Sequence, residues 1–572
     1  LPDKGAGSTP ITVTSSTGCG SVGTRLNPAT QYGSLYTITG HGPAALIVKG
    51  HHWTVQCAEI TNDTTPANRS AMLIYLGTDA ASTCAGHDIM FQRNFVHNPE
   101  VQYNNLTPLT PIINATRGID ISSCMVPANI TVQDSWIGSF GNSAAADQSS
   151  DTYGILVGGA VDTWTIKNNY IAAFFNNVFI VGEAPDPAKM ATISNPTNGG
   201  ATLSNSTGVH VGSIMSVQVP TTTNGCNVNP NNPKCYQAVK VTAVNPATGA
   251  VTWTPYGAGG LNAGLVPIDG GTAAWDGKNI QNGTVTLNYM WKDPRWQQQW
   301  TGGAKDYIEI KSCVNCSYTA NTFQGACAAV IAYEVAQGCS NGLCPWTTVA
   351  NNTFQDNLML GDVSGVFVPL GGAQATGTFM VSATPGANIV NKNNLWTNVV
   401  ASCGTNPGVS AVVLSGGPGD TVLFQHNTWL NASSIDAVFA GSTGLANFTF
   451  KDNVLNYGRD GFNWNNPGGV AGAWPPNGIV ESKNVMVIDG QLTNSPTQAG
   501  ESPNSFHPAT WSAVGFVNLA NCQGQVDYNG CALSAGSRYH NAGSDGTDPG
   551  VNMTTLNSAL GLGPGGPARA TP

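Results

Sequence analysis

Three short stretches gather side chains that could do chemistry. WKDPRWQQQW, Trp291 to Trp300, sets Asp293 and Arg295 among Trp291, Trp296 and Trp300, and Glu309 and Glu334 fall in the next two repeats. Indole faces stack on sugar rings, and an Asp with an Arg could serve as acid and carboxylate clamp. The simpler reading is a loop whose tryptophans cover a core beside a local ion pair, since one loop with one carboxylate is not a mechanism. HDIMFQRNFVH offers His87, Asp88, Arg93 and His97, but strand alternation sends neighbours to opposite faces, so a structural role is expected. GSDGTDPG could bring Asp545 and Asp548 to Ca²⁺, although such a site takes about six oxygens and only two are evident. That Ca²⁺ aside, no cofactor is expected. Only seven Glu occur in the chain, and the Asp residues are scattered, several at turns as Asp134 and Asp452 are. Serine elbows, phosphate-binding loops and HExxH motifs are absent.

Whatever positions these residues must be built from an unusual composition. Of 572 residues only 9% are charged, with 21 Lys+Arg against 31 Asp+Glu, while Gly reaches 69. That balance excludes an electrostatic nucleic-acid surface, and no run of 18 or more apolar residues suggests a membrane-inserted segment. A hydrophobic content of 41% with 14 Trp argues for a packed core over disorder. The 14 cysteines suggest disulfides and an oxidising, extracellular compartment, with Cys226/Cys235, Cys313/Cys316, Cys339/Cys344 and Cys522/Cys531 as candidate pairs. The competing account is a zinc site, with CVNC and CSNGLC supplying four thiolates. N-x-S/T sequons permit glycosylation in a suitable host without demonstrating it.

The elements themselves come from a repeat. TANTF, ANNTF, KNNLW, QHNTW, KDNVL and SKNVM recur with short flanking segments in which apolar and polar residues alternate, the period of a strand. The anchors are Asn94, Asp134, Asn169, Asn288, Asn321, Asn352, Asn394, Asn427, Asn453 and Asn484. Parallel strands stacked ~4.8 Å apart would line up one large apolar side chain per coil. The Asn before it would bend the strand in the left-handed conformation and stack its amide on the next, a structural ladder. The expected fold class is all-β, a right-handed parallel β-helix solenoid with an inserted small β-rich domain.

On YGILVGGAVDTWTIKNNYIAAFFNNVFIVGEAP, WTTVANNTFQDN and ALSAGSRYHNAGSDGTDPG, the chain resembles the right-handed parallel β-helix proteins, the architecture of pectate lyases. More closely it resembles large secreted β-helix repeat proteins of acidobacterial type whose function is unassigned. The resemblance implies a fold and brings no catalytic motif.

The expected organisation is an N-terminal cap at 1–40, β-helix at 41–187, an inserted module at 188–284, β-helix and a terminal coil at 285–555, and a Gly/Pro-rich tail at 556–572. The insert is marked by longer antiparallel strands, one pair joined by Asn-Pro-Ala-Thr-Gly. The leading functional expectation is a secreted, non-enzymatic structural or adhesive protein of bacterial type that self-associates end to end or laterally, even into a filament or surface layer. A glycan or cell-surface ligand is a further expected partner, with no nucleic acid and no membrane insertion. The alternative is a polysaccharide lyase or glycoside hydrolase, for which the fold alone is weak support.

Overall fold

Segments such as Ala128–Gln133 (ANITVQ) and Asp162–Lys167 (DTWTIK) alternate branched or aromatic residues with polar ones, so each buries one side as a strand. The structure, a computed structural model, describes residues 10–562 except 16–18, 32–34, 41, 43, 64–69, 77–86, 99–114, 122–127, 141–151, 160, 183–188, 221–234, 257–263, 276–279, 293–305, 326–329, 334–347, 361–365, 370–386, 398–401, 404–405, 408–411, 416–418, 431–437, 441–444, 459–460, 465–479, 490–503 and 525–526. Each coil contributes one strand to each of three parallel sheets, here called first, second and third, of 13, 12 and 11 strands. The chain is a right-handed parallel β-helix, as expected, carrying a small antiparallel barrel.

The interior is one continuous hydrophobic cluster running from Val48 to Met486. Its later coils stack rings along the axis, Phe323 to Phe354 at 6.0 Å, Phe354 to Trp396 at 6.4 Å and Trp396 to Trp429 at 4.7 Å. Phe354, Trp396 and Trp429 therefore do occupy the core.

Between first and second sheets the chain turns through a single left-handed residue, among them Arg93, Asp134, Asn168, Asp356, Asn393, His426 and Asp452, with φ between 53° and 58°. The residue after it is the ladder position. Asn288, Asn321, Asn357, Asn394, Asn427, Asn453 and Asn484 each pass a side-chain amide to the next at 2.9–3.1 Å, with steps of 33, 36, 37, 33, 26 and 31 residues. Each amide also donates to a backbone carbonyl of a neighbouring coil, as Asn357 does to Tyr318 at 3.0 Å.

Two anchors are corrected. Asn352 lies within the strand Val349–Gln355, points inward and donates to the carbonyl of Cys313, while Asn357 holds the ladder in that coil. Asp134 is the bend residue itself, and Ser135 takes the ladder place, with its Oγ accepting from Asn94 N–H and its own N–H donating to Asn169. A second left-handed column lies at the start of the first-sheet strands, where the exposed amides of Asn282, Asn315, Asn351 and Asn388 link one to the next.

The insert closes on itself as a six-stranded antiparallel barrel between Met190 and Trp275, with its own core including Ile193, Met215, Val217, Val239 and Trp253. Its Cys235–Asn245 and Ala250–Pro255 strands are joined by the expected turn, where Gly249 sits at φ 70° and donates its N–H to Asn245. Cys235 is disulfide-bonded; Cys226, Cys339 and Cys344 lie outside the described residues. Cys522–Cys531 and Cys313–Cys316 pair as disulfides, so the latter thiolates are not zinc ligands, and Cys19–Cys57 is an additional bridge.

Residues 1–40 do more than cap. Ile11–Val13 and Tyr36–Gly40 are coil strands, and the segment between them runs across the outside of the second sheet. There Leu26 N–H donates to Asp134 O at 2.8 Å, and Arg25 donates to the carbonyls of Asn168 and Leu287. The C-terminal segment mirrors it. GSDGTDPGVN, expected as a last coil, instead runs back along the same face, where Gly550 N–H donates to Asp452 O and Asn552 N–H to Asn393 Oδ1. Helix Met553–Leu560 then buries Met553, Leu556 and Leu560 in a cluster with Leu358, Leu395 and Val485. Among the described residues no helix is long and apolar enough to cross a membrane.

Two substitutions test this account by chemical denaturation. Asn357→Ala strands the Tyr318 carbonyl and the Asn321 amide, and is expected to cost at least about 2 kcal/mol. Asn391 points between Phe354 and Phe424 with neither side-chain polar atom bonded, so Asn391→Leu is expected to stabilise the fold by about 1–3 kcal/mol.

Candidate functional site on the third sheet

The second sheet is sealed by both terminal segments and the first is lined outside by Thr, Gln and Lys, while two ion pairs and a largely buried aromatic cluster lie on the outer side of the third. Register places Asp120, Leu156, Phe179 and Glu309 in one outward column on successive strands, with Val181 and Lys311 in the column beside it. Tyr153, Leu156, Phe175, Phe179 and Val181 form an apolar cluster there, separate from the interior. The ring of Tyr153 stacks on Phe179 at 4.6 Å, and Phe175 meets Tyr153 edge-on at 6.3 Å.

Glu309 is fully buried at one end of this column. Lys311 Nζ lies 3.1 Å from its Oε1, and Asn176 Nδ2 donates to its Oε2 at 3.0 Å. The same ammonium sits 5.1 Å over the Phe179 ring, a cation–π contact that fixes it against the aromatic floor. At the other end of the column Arg117 Nη1 holds the fully buried Asp120 at 2.5 Å. The two ion pairs are three strand spacings apart, about 14 Å.

Lys292, from the second-sheet strand Tyr289–Lys292, braces the corner that carries Phe175. Its Nζ donates to the carbonyls of Ala173, Phe174 and Phe175 at 3.1, 2.8 and 2.9 Å and lies 5.2 Å over the Tyr307 ring. Burial pulls its pKa down to about 7, while Asp306 works to keep the proton on. The three carbonyls match the three donors of an ammonium, which a neutral amine would not satisfy.

Of the expected site residues, Glu309 alone reaches this patch among the described residues. Trp291 stands on the second sheet against the cluster of Phe95, Trp136, Tyr170 and Tyr289 under the N-terminal segment, so the structure separates it from Glu309. Asp293, Arg295, Trp296, Trp300 and Glu334 lie outside the described residues. Asp545 and Asp548 do not assemble an oxygen cage for Ca²⁺. Asp545 accepts from His426 Nε2 at 2.9 Å and from Thr547, and Asp548 accepts from Asn541 and pairs with His540.

Along HDIMFQRNFVH, Arg93 bonds the carbonyls of Cys19, Ser21 and Thr24, and His97 pairs with Glu59 at 3.1 Å. His87 and Asp88, however, do touch, at 2.7 Å, because Asp88 at φ 56° interrupts the alternation that would have parted them. Arg117, Asp120, Asn176 and Lys311 were not singled out from sequence. Their one local signal is spacing, since Glu309 and Lys311 two apart in IEIK must share a strand face.

No family model matches the chain, and no curated protein sequence matches it. Solved structures of similar architecture include a PL6 family alginate lyase, AlyGC, at 11% identity and TM-score 0.36, covering 90% of this chain and 54% of that one. This chain thus spans about half the length of that lyase. A pectate lyase from Bacillus sp. N165 in complex with trigalacturonate matches at 10% identity and TM-score 0.27, covering 78% of this chain and 86% of that one. The tailspike gp49 of Acinetobacter baumannii bacteriophage Fri1, a capsular polysaccharide depolymerase, matches at 9% identity and TM-score 0.26, covering 81% and 56%. These likenesses are of fold. The expectation of a non-enzymatic structural or adhesive protein is corrected: the neighbours are polysaccharide lyases and depolymerases. Two of the buried carboxylates, Glu309 and Asp120, are each paired with a cation on the outward side of the third sheet.

Lys292→Met should cost about 3–5 kcal/mol in chemical denaturation, because three buried carbonyls lose their donor. The His426–Asp545 contact predicts a pH effect. Partial burial works to raise the Asp545 pKa, but hydrogen bonds from His426 and Thr547 outweigh it and hold the carboxyl well below the usual range. A depressed carboxyl contributes stability in full above its unfolded pKa of about 3.9 and loses it as pH falls further. Melting temperature measured against pH should therefore fall more steeply below about pH 4 in the wild type than in Asp545→Asn.

Proposed function

We propose that this protein is a secreted polysaccharide-active enzyme, a lyase of anionic, uronate-type polymers, working on the outward face of the third sheet. The observation that carries this is the pairing of scarce cations with an aromatic floor. A chain with only 21 Lys+Arg places Lys311 and Arg117 on one face with Tyr153, Phe175 and Phe179. Aromatic rings accept sugar faces, and the cations would attract and neutralise a uronate carboxylate, the charge change that acidifies the adjacent C–H for elimination.

Hydrolysis fits less well. A carboxylate pair for glycoside cleavage stands roughly 5–10 Å apart, whereas Asp120 and Glu309 are about 14 Å apart and each is neutralised by its own cation. The span suits an extended oligosaccharide lying along the axis. Disulfides fit secretion, where such polymers are met.

The test is to offer the purified chain alginate, polygalacturonate and acidic capsular polysaccharides and to follow ultraviolet absorbance of unsaturated uronate ends, with a reducing-end assay on neutral glycans. Elimination from at least one uronate polymer is expected, with kcat/KM lowered at least about tenfold in Lys311→Ala and in Arg117→Ala, about 1.4 kcal/mol of transition-state stabilisation. Absence of unsaturated product from every uronate polymer, or undiminished turnover in both variants, would refute the reading.

A further inference from the structure

In the early coils, along one side of the first sheet, the left-handed column gives way to imidazoles. The second left-handed column holds Asn129, Asn282, Asn315, Asn351, Asn388 and Asn447, with Thr163 and Thr421 at two positions, but in its two earliest coils it holds His52 at φ 61° and Asp88 at φ 56°. His51 precedes the strand Trp53–Gln56, and His87 opens the strand His87–Gln92 one coil on, with His52 N–H donating to His87 O at 3.0 Å. The bend thus turns His51, His52 and His87 toward one another.

The three rings form a single nest. His51 and His87 are parallel at 4.4 Å, and His52 stands edge-on to both at 5.2 and 5.0 Å. One ring nitrogen from each residue lies within 4.8 Å of the others. Asp88 sits behind them. Its Oδ2 is 2.7 Å from His87 Nδ1 and 3.5 Å from His52 Nδ1, and its Oδ1 accepts from Asn129 at 2.9 Å. A carboxylate at hydrogen-bond distance from one ring nitrogen orients the imidazole and favours a proton on that nitrogen, which leaves the other nitrogen as the one able to bind a metal.

We infer that His51, His52 and His87 form a binding site for a divalent d-block cation of the zinc class, with Asp88 as the residue that positions the imidazoles. Three nitrogens without thiolate select Zn²⁺, Co²⁺, Ni²⁺ or Cu²⁺ over Ca²⁺ or Mg²⁺, which want oxygen. His51 is buried while a third of the His87 side chain is exposed, so the nest has a solvent entrance. Small rotations bring the nitrogens to coordination distance, and a fourth position is left open to solvent.

Co²⁺ titration of the full chain near neutral pH, read by its visible d–d absorption, together with Zn²⁺ calorimetry and thermal shift, tests the site. One cation per chain and a raised melting temperature are expected. His52→Asn is the informative variant, because later coils carry Asn at that backbone conformation and the turn should survive it. It should weaken binding at least about tenfold, as should Asp88→Asn. His426→Asn, at the separate His426, Asp452 and Asp545 group, should leave the titration unchanged. No d–d band and no zinc heat in the wild type would overturn the inference. So would equal affinity in His52→Asn and Asp88→Asn with circular dichroism unchanged, or loss of binding in His426→Asn instead. Metal binding here is read without polysaccharide, so its outcome and that of the lyase assay are independent.

Discussion

Everything in this molecule hangs on what happens to backbone hydrogen bonds at the sharp corner between the first and second sheets. A parallel coil pairs its strands with the coils above and below, but a one-residue left-handed bend turns N–H and C=O groups out of that ladder while keeping them buried. Asn answers the problem because one short side chain carries both an acceptor and a donor. In each later coil its Oδ1 takes the bent N–H from a neighbour and its Nδ2 reaches a carbonyl, as Asn427 does toward Asn394 and Asn391. Identical residues at one strand spacing then bond to each other, and the corner becomes the straight seam along which interior aromatics can stack.

The seam also explains where the termini go. Bend residues present their backbone and side chains outward, and both ends of the chain dock on them: Gly23 and Leu26 on Asp134, Ser544 and Gly550 on Asp452. The N-terminal segment covers the early coils and the C-terminal segment the later ones. Together they bury the outer face of the second sheet, so an apolar surface that would invite association is instead internal.

Low charge makes the buried ion pairs meaningful. In a chain that is 9% charged, a buried Glu with its own Lys, a buried Asp with its own Arg, and a Lys anchored by three carbonyls are costly features that an apolar replacement would avoid. Their concentration around Tyr153, Phe175 and Phe179 is why a site is assigned there, with the neighbouring strands serving as its frame.

Local pattern alone was enough to read the strand period, the coil, a β-rich insert and the Cys522–Cys531 and Cys313–Cys316 candidates, because each depends on residues a few positions apart, whereas closure of the insert into a barrel was not legible. It misplaced the ladder in two coils: at Asp134, where Ser135 holds the place, and at Asn352, since VANNTFQDN contains two Asn that satisfy the same short motif and only pairing with Asn321 and Asn394 selects Asn357. It also missed the contact of His87 with Asp88, which depends on a left-handed residue that strand alternation does not anticipate. The third-sheet patch was legible only as the Glu309–Lys311 spacing, because Phe179 and Glu309 are register neighbours separated by the whole inserted barrel. Side-chain period is a property of the local backbone, whereas the column a residue joins is set by loops of unequal length, and that the tertiary structure decides.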